Sequence, residues 1–142
     1  MDDKFEVRIM DEFTPEFLRA ARGLYLENNW ISENDDPAFP GNAFANSFLV
    51  VAAFTSDGEL AGIARSISDG VSDAYVQDVM TAKKFRKQGV GRLVTVTVVE
   101  ELKKRNIDWI GVVGVPGTET FYAGCKLEYA PGHTLWLGGK DR

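Results

Sequence analysis

The chain has 142 residues, 44% of them hydrophobic and 11% aromatic, with a formal net charge of −5 at pH 7. That length suits one domain over residues 1–142. A domain of this size buries roughly 68–70% of its unfolded surface and needs no disulfide or structural metal. The acidic balance argues against a general phosphate-backbone binder, because counterion release calls for a cationic face, so no nucleic-acid partner is expected.

One cysteine, Cys125, and one histidine, His133, exclude an internal disulfide, a His-pair zinc motif and a Cys-rich metal cluster. The N-terminus, Met1-Asp2-Asp3-Lys4, is acidic where a secretory signal is basic and then apolar. The longest strongly apolar run, about residues 48–54, falls far short of the roughly 20 residues that a membrane span requires. A cytoplasmic protein with no membrane partner is the expectation.

In chain order, Phe5, Val7 and Ile9 alternate with Glu6 and Arg8, the period of a half-buried strand. Thr14-Pro15 reads as an N-cap with proline at the first helical position, and Phe17, Leu18, Ala21, Leu24 and Tyr25 recur at helical spacing to about Glu27. Residues 28–41 are polar and turn-rich around Trp30 and Phe39, with a short helix expected over 40–46. Strands follow over 47–54 and 60–67, joined at Ser56-Asp57-Gly58, whose Asp-Gly pair is a strong hairpin signal. Asp69-Gly70 turns the chain into a third strand of this run, 74–80. Beyond it come a strand over 107–115, two helical turns over 118–124, and two short strands over 127–137 around Pro131-Gly132.

Residues 89–105 carry opposed signals. Six consecutive residues from Val94 to Val99 are β-branched, which favours a strand. The i,i+4 pairs Glu100/Lys104 and Glu101/Arg105, with an apolar stripe through Val90, Leu93, Val94, Val98 and Leu102, favour a helix. The segment in front decides for helix. In Arg86-Lys87-Gln88-Gly89-Val90-Gly91-Arg92 two glycines allow a sharp turn with close backbone approach. A following helix then adds unsatisfied N–H groups and its dipole, a site for a phosphate. The loop is not a Walker A loop, since no Gly-Lys-Ser/Thr occurs in the chain, nor a dinucleotide fingerprint, since Val94 stands where the third glycine belongs.

The stretch from Tyr75 through Gln77, Asp78, Val79, Met80, Thr81 and Phe85 to Gly91 resembles motif A of the GNAT superfamily of acyl-CoA-dependent N-acyltransferases. That motif is a central strand followed by Arg/Gln-x-x-Gly-x-Gly/Ala with an aromatic residue before the Arg. Phe121-Tyr122, in a short helix after a strand, resembles the family's second landmark, and the order of elements extends the resemblance over nearly the whole chain. It implies an α/β (α+β) fold with a mixed, mostly antiparallel, splayed sheet of about six to seven strands and about four helices. Acetyl-CoA, the co-substrate, is then expected between the fourth and fifth strands.

Arg86, Lys87, Gln88, Gly89, Val90, Gly91 and Arg92 form the implied cofactor loop, its amides from Gln88 to Arg92 holding the pyrophosphate. The backbone of Val79 and Thr81 pairs with the pantetheine arm, and an N–H near Val79 or Met80 polarises the thioester carbonyl. The family's direct transfer needs no covalent enzyme intermediate. Tyr122 is implied as the general acid for the departing thiolate, with a core aromatic as its plainer reading. Asp78 reads equally as a general base and as a structural acceptor at a strand irregularity. Gln77 stands where glucosamine-phosphate acetyltransferases carry a carboxylate, and Tyr75, on the same face, and Trp30 are candidate substrate-binding residues. Two departures stand out: Lys126-Leu127 replaces the family's Gly-Phe, and residues 115–117 lack its asparagine.

Glu27, Glu33, Asp35 and Asp36 around Trp30 read first as a solvated acidic loop and second as a wall for a cationic amine. Cys125 and His133 read as structural, and Lys103-Lys104-Arg105 as a helix end complementing the dipole. The expected activity is acetyl transfer from acetyl-CoA to a primary amine of a small molecule (polyamine-like, aryl- or alkylamine, or amino sugar). The alternatives are a protein or peptide acetyltransferase and a non-catalytic acyl-CoA-binding regulatory domain. Homodimers are common in the family, and no residue here fixes the oligomeric state.

Overall fold

The computed structural model describes residues 4–115 and 117–127. Of the two strands expected over 127–137, residues 128–137, with His133, lie outside them. Among the described residues five strands form one sheet in the order β1 (Phe5–Ile9), β2 (Leu49–Thr55), β3 (Leu60–Ser68), β4 (Asp73–Thr81), β5 (Trp109–Val112). The first three pairings are antiparallel and β4–β5 is parallel. The parallel step needs a crossover, supplied by α3 (Val90–Lys104). Three more helices are α1 (Pro15–Glu27), α2 (Gly41–Ala45) and α4 (Glu119–Gly124). The fold is the mixed, mostly antiparallel α/β architecture read from the sequence, with β5 shorter than the strand expected over 107–115.

Both faces of the sheet are covered. Val51, Ala53, Ala64, Ala74 and Val76 pack against Val90, Val94, Val98 and Leu102 of α3. On the other face Val50, Ala52, Phe54 and Ile63 pack against Phe17, Ala21, Leu24 and Tyr25 of α1 and Phe44 of α2. A strand covered on both faces cannot alternate polar and apolar residues, which explains the unbroken apolar run in β2. Burying one of its larger side chains contributes about 1.5–3 kcal/mol.

Tertiary packing settles the disputed segment 89–105 as helix. Its β-branched residues turn Val94 and Val98 into the core, while Thr95 Oγ1 and Thr97 Oγ1 donate to the carbonyls of Gly91 and Leu93, both at 2.7 Å. Those bonds satisfy two hydroxyls that would otherwise compete with the helix ladder. The helix approaches the sheet closely at Gly62, where a Cβ would sit 2.5 Å from Val90 Cγ1 and 2.8 Å from the Met80 carbonyl oxygen. No larger residue fits there without displacing α3. At the other end of α1, Thr14 Oγ1 accepts from the Phe17 N–H at 3.1 Å, the cap expected from sequence.

Candidate active site

The β4–β5 pairing runs only from Asp73↔Trp109 to Val76↔Val112. Beyond Val76 the two chains part, and a cleft of about 450 Å³ opens between residues 77–81 and 112–115. Asn28 and Trp30 close it from the α1–α2 connection, and Phe121 and Tyr122 close it from α4.

At one end of the cleft lies the glycine loop. Lys87 and Gly89 adopt left-handed conformations, at φ of 62° and 83°, and Gly89 is the N-cap of α3. Such alternation turns successive N–H groups toward one concavity suited to an anion. The first ladder bond of α3 runs from the Leu93 N–H to the Gly89 carbonyl at 2.9 Å, which leaves the earlier amides of the turn free of helix partners. The first turn holds no acidic residue and does hold Arg92. A cation at the positive end of a helix dipole is unfavourable by itself and becomes favourable with an anion between them. A Cβ on Gly91 would lie 3.3 Å from both Phe121 Cζ and Thr81 Oγ1, so a hydrogen there keeps the cleft open.

The loop is tied to the opposite wall. Arg86 donates to Asn28 Oδ1 at 2.7 Å, and the Lys83 N–H donates to Glu27 Oε1 at 2.7 Å. Lys4 Nζ donates to Gln88 Oε1 at 2.7 Å.

At the centre, Asp78 sits in β4 at φ of 53°, a left-handed conformation within a strand. Its Oδ2 accepts from Tyr25 Oη at 2.8 Å and from Arg65 Nε at 2.7 Å, and Arg65 Nη1 also donates to Ser47 Oγ at 3.3 Å. The Asp78 and Arg65 side chains are only 13% and 15% exposed, so this is a largely desolvated ion pair. Burial first, then the Asp78 charge, push the Tyr25 phenol far above its ordinary range and keep it a donor. Tyr122, half-buried, packs on the Gly114 backbone, where a Cβ would meet Tyr122 Cε2 at 3.1 Å. Burial, and secondarily the neighbouring Cys125, raise its phenol above the ordinary value.

The description "Acetyltransferase (GNAT) family" is that of a family model that matches residues 7–120 of this chain. The chain belongs to the GNAT acetyltransferase family. Among curated relatives, GCN5-related N-acetyltransferase 3, chloroplastic, from Arabidopsis thaliana is 29% identical over 93 residues, 66% of this chain and 38% of that protein. An uncharacterized N-acetyltransferase, ycf52, from Gracilaria tenuistipitata var. liui is 29% identical over 83 residues, 56% of this chain and 46% of that protein. The match thus spans less than half the length of either curated relative. A putative acetyltransferase from Deinococcus radiodurans R1 shares the fold at a TM-score of 0.73 and 20% identity, covering 95% of this chain and 90% of that one.

Against this GNAT frame, Trp30, Gln77, Asp78, Val79, Met80, Thr81, Arg86, Gly91 and Tyr122 from the sequence reading all line the cleft. Val90 is buried in the core, so only its backbone is available to a ligand; Lys87, Gln88 and Gly89 of the loop and Arg92 in the first turn of α3 lie outside the cleft wall. Tyr75 does not reach the cleft. It lies where β4 and β5 are still paired, 42% exposed, with its ring edge-on to Trp109 at 5.5 Å. The acidic residues around Trp30 do not line the cleft either. Glu27 holds the Lys83 amide, Asp35 Oδ2 and Asp36 Oδ1 accept backbone N–H bonds within their own loop, and Glu33 faces Arg22 at 3.9 Å.

The sequence reading missed Asn28, Thr118 and residues 112–115 in the wall, and Arg65 and Tyr25 as partners of Asp78. Arg65 did leave a signal, as the lone charge within the apolar run from Leu60 to Ile67. The Lys126-Leu127 departure is absorbed by the fold. Lys126 takes φ of 68°, the conformation a glycine adopts freely, and Leu127 N–H closes the turn on the Tyr122 carbonyl at 3.0 Å. Leu127 packs on the α3-side core.

The residues present fit acetyl-CoA. The alternating left-handed turn, the free amides and Arg92 at the start of α3 suit its pyrophosphate, and the narrow passage beside Gly91 suits a thin pantetheine arm.

Proposed function

We propose that the protein transfers an acetyl group from acetyl-CoA directly to a primary amine of a small molecule, of polyamine-like, aryl- or alkylamine, or amino-sugar type. The observation that carries this reading is the convergence of the anion-suited loop, the β4 edge left free of β5 beyond Val76 and Tyr122 on one cleft. Acetyl-CoA supplies the acetyl thioester. The amides from Gln88 to Arg92 hold its pyrophosphate, and the backbone of Val79 and Thr81 lines up its arm as an added strand. An N–H at Val79 or Met80 polarises the thioester carbonyl.

The acceptor nitrogen then attacks the carbonyl carbon, a C–N bond forms and the C–S bond breaks. Tyr122 Oη donates its proton to the departing sulfur and is reprotonated from solvent. The acceptor ammonium gives one proton to solvent before the attack, which frees its lone pair, and a second N–H proton as the amide forms; one of these balances the proton that Tyr122 recovers and the other is released. Two donors on Asp78 Oδ2 support the structural reading of this carboxylate over that of base. Trp30 and Gln77, both in the cleft wall, address the acceptor.

A screen for CoA release over amines, amino sugars and basic peptides tests the reading. Turnover with small amines is expected, and turnover confined to peptides would overturn the acceptor class. Tyr122→Phe is expected to lower kcat about 100-fold while the acetyl-CoA Kd stays within about twofold. Because the Tyr122 pKa is raised, its acid form is fully present below the ordinary phenol value. The alkaline limb of kcat is therefore expected above pH of about 10.

A further inference from the structure

We propose that Arg65 and Tyr25, acting through Asp78, form a clamp that positions the backbone N–H addressing the thioester carbonyl. This rests on the reading that an amide at Val79 or Met80 polarises that carbonyl. The register between β3 and β4 passes from Ile63↔Met80 to Arg65↔Gln77, so Asp78 and Val79 together stand opposite Ala64 alone. Such a bulge leaves one residue out of the ladder and re-aims its neighbours. Here it falls where β4 has lost β5 as a partner, so only the β3 side holds this stretch of backbone.

The bulge requires Asp78 to hold φ of 53°. A non-glycine residue in a left-handed conformation is strained and persists only where its surroundings impose it. Those surroundings are two charge-assisted or buried bonds on one oxygen, from Arg65 Nε and Tyr25 Oη, on side chains largely shielded from water. Each donor comes from a different element: Tyr25 from α1 and Arg65 from β3. Ser47, just after α2, holds the far side of the guanidinium, and its own Oγ donates to the Ala43 carbonyl at 2.7 Å. The carboxylate thus anchors the bulge to three neighbouring elements. Asp78 is a positioning residue, and so are Arg65 and Tyr25.

Glycine separates this role from that of a general base. Asp78→Ala and Asp78→Gly both remove the carboxylate and leave Arg65 equally unpaired, but glycine adopts the left-handed conformation freely. The decisive measurement is the infrared stretch of the ¹³C-labelled thioester carbonyl of acetyl-CoA bound to each protein, together with kcat. In the wild-type complex the stretch is expected to move to lower frequency than in free acetyl-CoA. In Asp78→Ala most of that displacement is expected to disappear and kcat to fall about tenfold. In Asp78→Gly the displacement returns and kcat recovers to within about threefold of wild type.

Tyr25→Phe removes one anchoring bond without stranding a charge, and is expected to lose part of the displacement. It reads the same contrast if Asp78→Ala does not fold. Equal loss of kcat in the glycine and alanine variants would make Asp78 the base and overturn the clamp. A displacement undiminished in both Asp78→Ala and Tyr25→Phe would also overturn it. No displacement in the wild-type complex would overturn the polarising amide itself, and the clamp with it.

Discussion

The two walls of the cleft are built on different principles. The side proposed for the cofactor is mostly backbone: left-handed Lys87 and Gly89 in the loop at the end of the cleft, the free first amides of α3, and Gly91 kept bare beside Phe121. The side proposed for the acceptor is mostly side chain: Trp30 from the α1–α2 connection, Gln77 from β4 and Tyr122 from α4. Backbone geometry depends on a few residues adjacent in sequence, whereas a wall of side chains depends on elements far apart in the chain. One wall can therefore stay constant while the other changes, which is how one scaffold serves many acceptors.

Substitutions that affect one wall and spare the other sharpen this division. Among effects on binding, the largest is expected from Gly91→Val. Any Cβ there already crowds Phe121 and Thr81, so acetyl-CoA affinity should fall about tenfold, equivalent to roughly 1.4 kcal/mol. Equilibrium binding measures it, and unchanged affinity would remove Gly91 from the cofactor wall. Trp30→Ala is expected to do the converse, raising the acceptor KM about fivefold while acetyl-CoA binding holds. An acetyl-CoA Kd that moved equally would break the division.

Asn28 is the point where the walls meet, through its bond from Arg86. Asn28→Ala is expected to weaken both ligands, each by about twofold, as the loss of one exposed hydrogen bond implies. An effect on one ligand alone would show that the bond does not couple them. The smallest effect belongs to Ser66→Ala. The Ser66 hydroxyl is fully buried and finds no hydrogen-bond partner among the described residues. Thermal unfolding should show stability unchanged or raised by up to about 1 kcal/mol, with both ligands bound as before.

The same division sets how far each part of the site could be read from the sequence. The glycine loop was legible because its conformations demand particular residue types at fixed spacing. Gln77 was singled out by the family resemblance, and Tyr75 by alternation, because it shares a strand face with Gln77. The divergence of β5 after Val112 left Gln77 inside the cleft and Tyr75 against Trp109. Asp78 was legible as a carboxylate on the central strand. Its partners Tyr25 and Arg65 lie 53 and 13 residues away, where no local pattern reaches.

By itself, the sequence determined the strand and helix order among the described residues, the helical reading of 89–105 and the glycine loop in front of it. Periodicity, capping and glycine placement are local properties, and each acts over a few residues. The tertiary structure alone decided where β5 parts from β4 and what holds Asp78 in its strained conformation, and its packing shows why the helix expected over 89–105 prevails over the β-branched run of 94–99. Those outcomes depend on which distant surfaces are buried together. The helix wins because Val94, Val98 and Leu102 all enter one core, and that gain exceeds the fractions of a kcal/mol by which strand propensity disfavours it.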